Sequence, residues 1–229
     1  RVLSRKMDVE GRHRNWAYAQ AAHEWILSLD ADERVTPELA RELQALLAGS
    51  PRHSSPEGRG EPPYQVYAIP RRNYIGSQWI RHGGWYPSAQ IKLFKRSVFR
   101  WEETTVHPRA LSNCPTGELR HDLLHYSYRD LADFVDKLNR QTTLEAQKWL
   151  RDGRRMSWVR AWRRAIDRCL RSYVGKQGWR DGFWGVMVAG MAGAYQVLAW
   201  AKYAEAQRAA RIEDVVAPFR DLTVDAERF

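Results

Sequence analysis

The feature of the sequence that most restricts the fold is an apolar run of strand length, Trp25–Leu29, that ends in the carboxylates Asp30 and Asp32. In an extended backbone alternate side chains point the same way, so both carboxylates are expected to face one point at the end of a strand. Ligands of open α/β sheets bind at the carboxyl ends of strands. Two oxygen ligands there suit Mg²⁺ or Mn²⁺, with phosphate oxygens completing the shell. The pattern predicts a divalent metal site and a phosphorylated substrate; the alternative is that either Asp merely caps a turn or helix.

The order of the elements predicts an α/β chain rather than an all-β chain. Thr36-Pro37-Glu38 has the hydroxyl cap, the proline and the acid of a helix start. The expected buried face of that helix consists of Leu39, Leu43, Leu46 and Leu47. Strands are predicted over 64–69 and 90–94, with a surface loop over 49–63 between the helix and the first of them. A further helix is predicted over 128–150, with Ser127 as its cap and a buried face of Leu131, Phe134, Val135 and Leu138.

The positive charge is concentrated in one segment. The formal net charge is +10, and residues 151–180 hold ten basic and two acidic residues, which leaves +2 for the rest of the chain. This segment is therefore expected to contact an anionic surface, either membrane or nucleic acid. Cys114 and Cys169 form neither a metal-binding spacing nor a disulfide framework, which fits a reducing compartment.

The basic segment contains a predicted amphipathic helix over 157–173. Its apolar side is expected to hold Trp158, Trp162, Ile166, Cys169, Leu170 and Tyr173, and its opposite side Arg160, Arg163, Arg164 and Arg171. Such a pattern is typical of a helix that lies in a membrane interface; the alternative is a surface helix with solvated arginines. The nearly uncharged stretch over 183–201 approaches the length of a membrane span, but a packed or shallowly inserted helix is the favoured interpretation.

The stretch over 73–87 is dense in aromatic residues and glycine. It is interpreted either as a hairpin whose aromatic side chains pack on the sheet, or as a loop that lines a sugar site, since sugars stack on Trp and Tyr rings. The two interpretations have about equal weight.

Several segments, in this order along the chain, resemble family 2 glycosyltransferases of the lipopolysaccharide core biosynthesis type, often described as β-glucosyltransferases. The segment over 24–39, EWILSLDADERVTPEL, resembles the Asp-x-Asp motif of that family. The segments HGGWYP over 82–87 and QIKLFKR over 90–96 resemble its acceptor-side loop and strand. Shorter matches are VH at 106–107, GEL at 117–119, LHYSY at 124–128, KLN at 137–139 and DG at 181–182. The resemblance covers the chain from about Gly11 to Ala206.

The resemblance implies a GT-A type (Rossmann-like) α/β catalytic domain over 1–128, followed over 129–229 by a helical, basic, membrane-associating region. It implies inverting transfer of a sugar from a nucleotide-diphospho-sugar to a lipopolysaccharide-core or other lipid-linked saccharide, at the cytoplasmic face of the bacterial inner membrane. Asp30 and Asp32 would hold Mg²⁺ or Mn²⁺, and Glu102 or Glu103 would take the proton of the acceptor hydroxyl, although a solvated turn is the slightly preferred interpretation of each Glu taken alone. The expected substrate-binding residues are Trp85, Tyr86, Gln90, Lys92 and His107, and Arg96 could also hold anionic groups.

The chain departs from the family pattern in two places. The nucleotide-binding strand that the family carries first is absent, and Arg1-Val2-Leu3 resembles the tail of a strand. We therefore expect the chain to begin inside the domain and this piece not to turn over donor. The residue after Val106-His107 is Pro108 where the family often has Glu, which removes one obvious candidate for the base.

Other functions are weighed against this one. Haloacid-dehalogenase-like phosphatases also place Asp-x-Asp after a strand, but Arg34 stands where they usually carry Thr or Val. A basic, Trp- and Arg-rich protein that binds nucleic acid or anionic lipid without catalysis would explain residues 151–180 but not Asp30 and Asp32; for a glycosyltransferase no nucleic acid partner is expected. His107 and His125 match family positions, and a buried, hydrogen-bonded structural histidine is the preferred interpretation of each. His121 and His125 are spaced for zinc chelation on a turn, but no further Cys or His stands at ligand spacing, which argues against zinc.

Overall fold

The computed structural model describes residues 2–49, 62–103 and 109–225, with the backbone alone from 211 onward. The chain divides into two compact units. Unit 1 comprises Arg1–Trp79 and Trp85–Ser127, and unit 2 comprises Ile80–Gly84 and Tyr128–Phe229. Unit 1 combines sheets with helices, and unit 2 is mainly helical. The predicted α/β chain with a helical C-terminal region is confirmed at this level.

The first sheet of unit 1 is mixed. It contains β1 (Trp25–Leu27), β3 (Val66–Ile69), β6 (Gln90–Lys95) and β9 (Thr116–Glu118), in the order β1-β6-β3-β9. Strand β6 is antiparallel to β1 and to β3, whereas β9 runs parallel to β3. The strands predicted over 25–29, 64–69 and 90–94 are thus confirmed, with small shifts of their ends.

The two faces of this sheet carry separate apolar clusters, as alternation along a strand requires. On one side Leu93 packs with the helix that follows Thr36, in a cluster completed by Leu39, Leu43, Leu46, Tyr67, Ile69, Leu119 and Leu123. The other cluster consists of Ile26, Val66, Phe94 and Phe99. The strand that precedes Asp30 is therefore held from both sides of the sheet.

A second sheet contains β2 (Glu33–Val35), β4 (Arg71–Ile75), β5 (Gln78–Ile80) and β10 (Leu123–Tyr128), in the order β2-β10-β4-β5. Strand β10 is antiparallel to β2, with His125 opposite Glu33. A short antiparallel pair is formed by β7 (Arg100–Trp101) and β8 (Ala110–Leu111). Residues 2–7 form no strand, so the predicted strand tail at the start of the chain is wrong.

Two helices belong to unit 1 in the described residues, α1 (Glu10–Ala19) and α2 (Pro37–Leu47). Helix α2 begins as predicted, because the Thr36 side chain accepts a hydrogen bond from the backbone N–H of Leu39 and Pro37 occupies the first turn. Its buried face includes Leu39, Leu43 and Leu46, as predicted. Leu47 was assigned to that face wrongly, since it is 46 % exposed.

Unit 2 contains α3 (Leu131–Arg151), α4 (Trp158–Leu170) and α5 (Phe183–Asp225), with a π-helical turn at Arg171–Gly175 and a 3-10 turn at Gly178–Asp181. Helix α3 begins later than predicted, because β10 extends to Tyr128 and Asp130, not Ser127, caps the helix. Phe134 and Leu138 are buried as predicted, whereas Val135 is 42 % exposed. Within α5, Phe183–Ala210 is long and apolar enough to cross a membrane by length and composition alone.

Candidate functional site

The two aspartates of the predicted metal site lie in a turn, not in an extended strand. Strand β1 ends at Leu27, and the chain reverses at Ala31 and Asp32, where the backbone N–H of Glu33 donates to the carbonyl of Asp30 at 3.0 Å. The predicted extended geometry is therefore wrong. Because the alternation of side chains holds only in extended backbone, Asp30 and Asp32 contact different groups.

Asp30 is held by a buried lysine on the neighbouring strand. Lys92 of β6 is 3 % exposed, and its Nζ lies 2.7 Å from Asp30 Oδ2 and 2.7 Å from Glu33 Oε2. Arg71 approaches the other oxygen of Glu33, at 3.5 Å. One ammonium group thus joins both ends of the turn to the centre of the first sheet.

The second oxygen of Asp30 contacts Arg14 of α1, with 3.2 Å between Asp30 Oδ1 and Arg14 Nη2. Partial burial opposes ionisation of Asp30, but the hydrogen bond and the charge of Lys92, together with Arg14, outweigh it and lower the pKa of the carboxyl group. Asp30 is consequently a carboxylate at neutral pH with a cation on each oxygen.

Arg14, Asp30 and Lys92 line a cavity of about 260 Å³ in unit 1. Its lining brings together three of the predicted site residues, Asp30, Gln90 and Lys92. The sequence had not indicated the other lining residues, which are Glu10, Arg14, Ser28, Ile91 and Trp101. The guanidinium of Arg14 lies 5.4 Å from the centre of the Trp101 ring, so a cation and an indole adjoin the carboxylate.

Asp32 points to a different group of residues. Its carboxylate is 43 % exposed, and Oδ2 lies 3.5 Å from Nε2 of His125 on β10. Asn73 fixes the other side of that ring: its Nδ2 donates to Ser88 Oγ at 2.8 Å, so its Oδ1 accepts from Nδ1 of His125 at 2.6 Å. Since Nδ1 carries the proton of that bond, Nε2, which faces Asp32, has the lone pair when the ring is neutral.

Burial is the main reason why the pKa of His125 is lowered, with a further contribution from the charge of Arg71. At neutral pH the ring is therefore uncharged, and the lone pair of Nε2 faces a carboxylate oxygen.

Trp85 and Tyr86 lie in the aromatic stretch beside this group. The side-chain nitrogen of Asn73 also donates to the carbonyl of Trp85, and the hydroxyl of Tyr86 donates to Asp122 at 3.2 Å. Tyr86 meets Trp79 edge to face, with 5.5 Å between ring centres. Tyr86 packs on a neighbouring ring, as expected for a hairpin whose aromatic side chains pack on the sheet, and yet it is 36 % exposed, as expected for a loop that lines a sugar site.

The two candidate bases each pair with an arginine. Glu102 binds Arg109 through both oxygens, at 3.0 Å each, and this hydrogen bond is the main reason why the pKa of its carboxyl group is lowered. Glu103 contacts Arg12 of the α1 helix at 3.1 Å. Neither residue lines the cavity that contains Asp30. His107, the remaining predicted substrate residue, and Pro108 lie outside the described residues.

Two other predicted contacts have different partners. Arg96 donates to the carbonyl of Ala21 at 2.8 Å, where it ties β6 to the end of α1. His121 contacts Glu42 at 2.8 Å, whereas His125 contacts Asn73 and Asp32. The pair cannot chelate zinc as on a helical turn, because His125 lies on the β10 strand.

The residues present fit a divalent cation only in part. Among the residues that the structure describes, no group of three or more His, Cys, Asp or Glu side chains is arranged to hold a metal ion. Asp32 and Nε2 of His125 offer an exposed oxygen and a nitrogen lone pair, and Mg²⁺ commonly uses one or two carboxylates plus substrate phosphates. Asp30 would join such a site only if Lys92 or Arg14 released one of its oxygens.

The sequence matches no protein family model. The assignment of a function therefore depends on the motifs and on the geometry around Asp30 and Asp32.

Proposed function

We propose that this chain is part of an inverting family 2 glycosyltransferase, in which unit 1 belongs to a GT-A type domain. The reaction is transfer of a sugar from a nucleotide-diphospho-sugar to a lipopolysaccharide-core or other lipid-linked saccharide. The observation that carries the proposal is the meeting of Asp30, Gln90 and Lys92 in one cavity. These residues come from two separate motifs that resemble the family, and 62 positions separate Asp30 from Lys92.

The cavity has the groups that a sugar requires. Asp30 and Gln90 offer acceptors and donors for hydroxyl groups, and Trp101 offers an aromatic ring beside them. Lys92 keeps Asp30 ionised and fixed in position, so that the carboxylate is oriented before any ligand arrives. In the proposal this cavity receives a sugar ring, and the exposed Asp32 lies on the side of the donor diphosphate.

A divalent cation, when bound, would neutralise the charge that develops on the leaving nucleotide diphosphate. Asp32 is the residue that would hold it, with His125 beside it and with Asn73 keeping the His125 ring in the required orientation. The transition state would have oxocarbenium character, as in other displacements at an anomeric carbon.

Proton removal from the acceptor hydroxyl is assigned to Glu102 or Glu103. Because the arginine pair lowers the pKa of Glu102, this carboxylate accepts a proton weakly until Arg109 moves away. Single Glu→Gln variants at the two positions, compared by kcat at saturating substrates, would show which of them acts. If neither variant lowers kcat, the base lies elsewhere.

The proposal is tested by turnover of sugar nucleotides with the protein as encoded, including any residues that precede Arg1. Asp32→Asn is expected to lower transfer at least about 100-fold without a change in the circular dichroism spectrum, because a neutral amide binds a divalent cation weakly. Asp136→Asn, at an exposed position of α3, removes the same charge and is expected to keep full activity. Full activity of the Asp32 variant, or activity that excess chelator does not reduce, would contradict the metal role.

The second candidate is a protein that binds anionic polymers or lipids without catalysis. It is favoured by the exposure of Trp158 and Trp162 beside the arginines of α4. DNA binding that falls steeply with salt, together with no turnover of any sugar nucleotide, would favour this candidate over glycosyl transfer.

A further inference from the structure

Helix α4 has three distinct sides. At 100° per residue, Ala161 and Ala165 fall on one side. Cys169, predicted on the apolar side, lies at the border of the two sides, where its Cβ is 3.6 Å from the position of a Cβ at Gly193. Ala161 and Ala165 are buried, and a Cβ at Gly193 of α5 would lie only 3.1 Å from the carbonyl oxygen of Ala165. The small residues of α4 therefore face α5, and the packing of this helix uses its alanines rather than its large apolar residues.

The large apolar residues form a second side that remains exposed. Trp158, Trp162, Ile166 and Leu170 follow one another at intervals of four, and they are 60 %, 52 %, 56 % and 54 % exposed. We call this row the apolar ridge. The segment after α4 exposes further large side chains, namely Val174, Trp179, Phe183 and Val186. Contiguous exposed apolar residues of this size mark an interaction surface rather than ordinary surface variation.

The third side is cationic. Seven arginines occur between 154 and 171, and Asp167 is the only carboxylate among them. Asp167 is itself paired with Arg171 at 3.1 Å. Burial lowers the pKa of Arg164, and the neighbouring positive charges lower it further; these are Arg154, Arg160, Arg163 and Arg168. The arginines therefore repel one another, and acidic side chains do not balance their charge. Such a surface is complementary to a dense array of anions.

We propose that unit 2 docks peripherally on an anionic lipid bilayer through α4, with the apolar ridge in the interface and the arginines against lipid phosphates. A ridge of two tryptophans and two aliphatic residues beside arginines is the pattern of a helix that lies in the interface plane. Nucleic acid would use the arginines but would leave Ile166 and Leu170 in water. A second copy placed ridge to ridge would bring two cationic sides together, which is electrostatically unfavourable.

Contacts inside unit 2 favour docking over spanning. Helix α5 packs against α3 and α4, although only 28 % of the most apolar window of Phe183–Ala210 is buried. Lys202 lies within that stretch, and its Nζ contacts the carbonyl of Asn139 at 2.6 Å and Thr142 Oγ1 at 2.9 Å. A crossing of about 20 residues from Phe183 would leave Lys202 at its end, but it would place Gly193 near the middle of the bilayer. Because α4 packs on Gly193 through Ala165, its arginines would then enter hydrocarbon or the two helices would separate.

The test is co-sedimentation of the chain with vesicles of phosphatidylcholine that contain increasing fractions of phosphatidylglycerol. Binding is expected to rise with the anionic fraction and to fall with salt. The triple change Arg160→Gln, Arg163→Gln and Arg171→Gln is expected to lower the partition coefficient about 100-fold, at roughly fivefold for each charge near the surface. Trp158→Ser with Trp162→Ser is expected to lower the quenching of tryptophan fluorescence by brominated lipid, with Trp179 left as the exposed tryptophan that follows α4.

Control variants show whether vesicle binding depends on the surface of α4 or only on the net charge and the exposed apolar side chains of the chain. Arg41→Gln, Arg129→Gln and Arg140→Gln remove the same net charge at exposed positions outside α4, and Leu144→Ser removes a 57 % exposed leucine from α3. These controls are expected to bind vesicles nearly as the parent chain does. Because every changed side chain is exposed, unaltered circular dichroism is expected throughout.

Several results would overturn the proposal: no vesicle binding, binding that the α4 variants leave unchanged, or resistance to extraction by alkaline carbonate, which indicates a spanning helix. DNA binding without vesicle binding, or a dimer that Trp158→Ser with Trp162→Ser dissociates, would assign the surface to another partner. The assay contains no sugar nucleotide, so its failure leaves the proposed transferase function standing, and absence of turnover leaves the docking proposal standing.

Discussion

At the scale of single residues, the most constrained side chain is Lys92. It is 3 % exposed and lies between the carboxylates of Asp30 and Glu33, which also contact Arg14 and Arg71. A charge so far from water is stable only because it is paired, and its removal would leave Asp30 with Arg14 alone and the buried Glu33 with only the 3.5 Å contact to Arg71. The same contact positions the proposed site, so Lys92 links stability to function.

We expect Lys92→Met to lower the free energy of unfolding by roughly 3–5 kcal/mol, because it leaves Glu33 buried without its ammonium partner. Urea unfolding followed by circular dichroism measures the change. Arg41→Met is the matched control, since it breaks the exposed ion pair with Glu38 and is expected to cost less than about 1 kcal/mol. A loss below about 1 kcal/mol for Lys92→Met would show that the network does not stabilise the fold.

At the scale of elements, one carboxylate of α2 organises the segment that leads into β10. The side chain of Glu42 accepts hydrogen bonds from the backbone N–H groups of Arg120, at 2.9 Å, and His121, at 3.0 Å, and from the His121 ring. Burial opposes ionisation of Glu42, but these hydrogen bonds outweigh it and lower the pKa of the carboxyl group. A single helix residue thus satisfies the backbone donors of a turn about 80 positions away.

The lowered pKa sets the direction of a pH dependence. Because the folded-state pKa of Glu42 lies below the unfolded value of about 4.3, its contribution is complete above that value and is lost as pH falls through the folded pKa. We expect Glu42→Gln to lower the free energy of unfolding by about 1–3 kcal/mol at pH 7. In urea titrations below about pH 4.3, the difference in unfolding free energy between Glu42→Gln and the parent chain should shrink. Glu38→Gln, at an exposed position of α2, serves as the control. A difference that stays constant down to acid pH would contradict this role.

At the scale of the whole molecule, each unit has its own apolar core. Unit 1 is built around the two faces of its first sheet, and unit 2 around Trp149, Met156, Ala199 and Tyr203. The net charge is unevenly distributed along the chain, since most of the +10 lies in the segment that contains α4. Catalysis and anion binding are accordingly proposed for different units.

We expect two calorimetric unfolding transitions, because each unit buries its own core. A Cβ at Gly185 of α5 would overlap the carbonyl oxygen of Gly178, so Gly185→Ala is expected to lower one transition by several degrees. Gly190→Ala, in the same helix, meets no atom within 4 Å and is expected to raise that transition slightly. Lys92→Met should lower only the transition that Gly185→Ala leaves unchanged. A single transition that Lys92→Met and Gly185→Ala shift equally would contradict the expectation that the two units unfold independently.

The sequence alone determined what depends on near neighbours along the chain. The start of α2 at Thr36 and Pro37, the apolar strands β1, β3 and β6 and the division of α4 into apolar and cationic sides all follow from local spacing. Even so, Leu47 and Val135 were placed on buried faces wrongly, because the width of a buried stripe depends on what packs against it.

The tertiary structure decided what depends on residues distant in sequence. An extended backbone would have aligned the carboxylates of Asp30 and Asp32, but the turn at Asp32 separates them. A metal ion was expected beside Asp30, and the structure has Lys92 there, 62 positions away in sequence. Asn73 decides which nitrogen of His125 carries the proton, and packing through the alanines of α4 leaves its tryptophans exposed. Electrostatic pairing and close packing act through space, so local patterns indicate which residues carry the chemistry, and only the fold decides which of them meet.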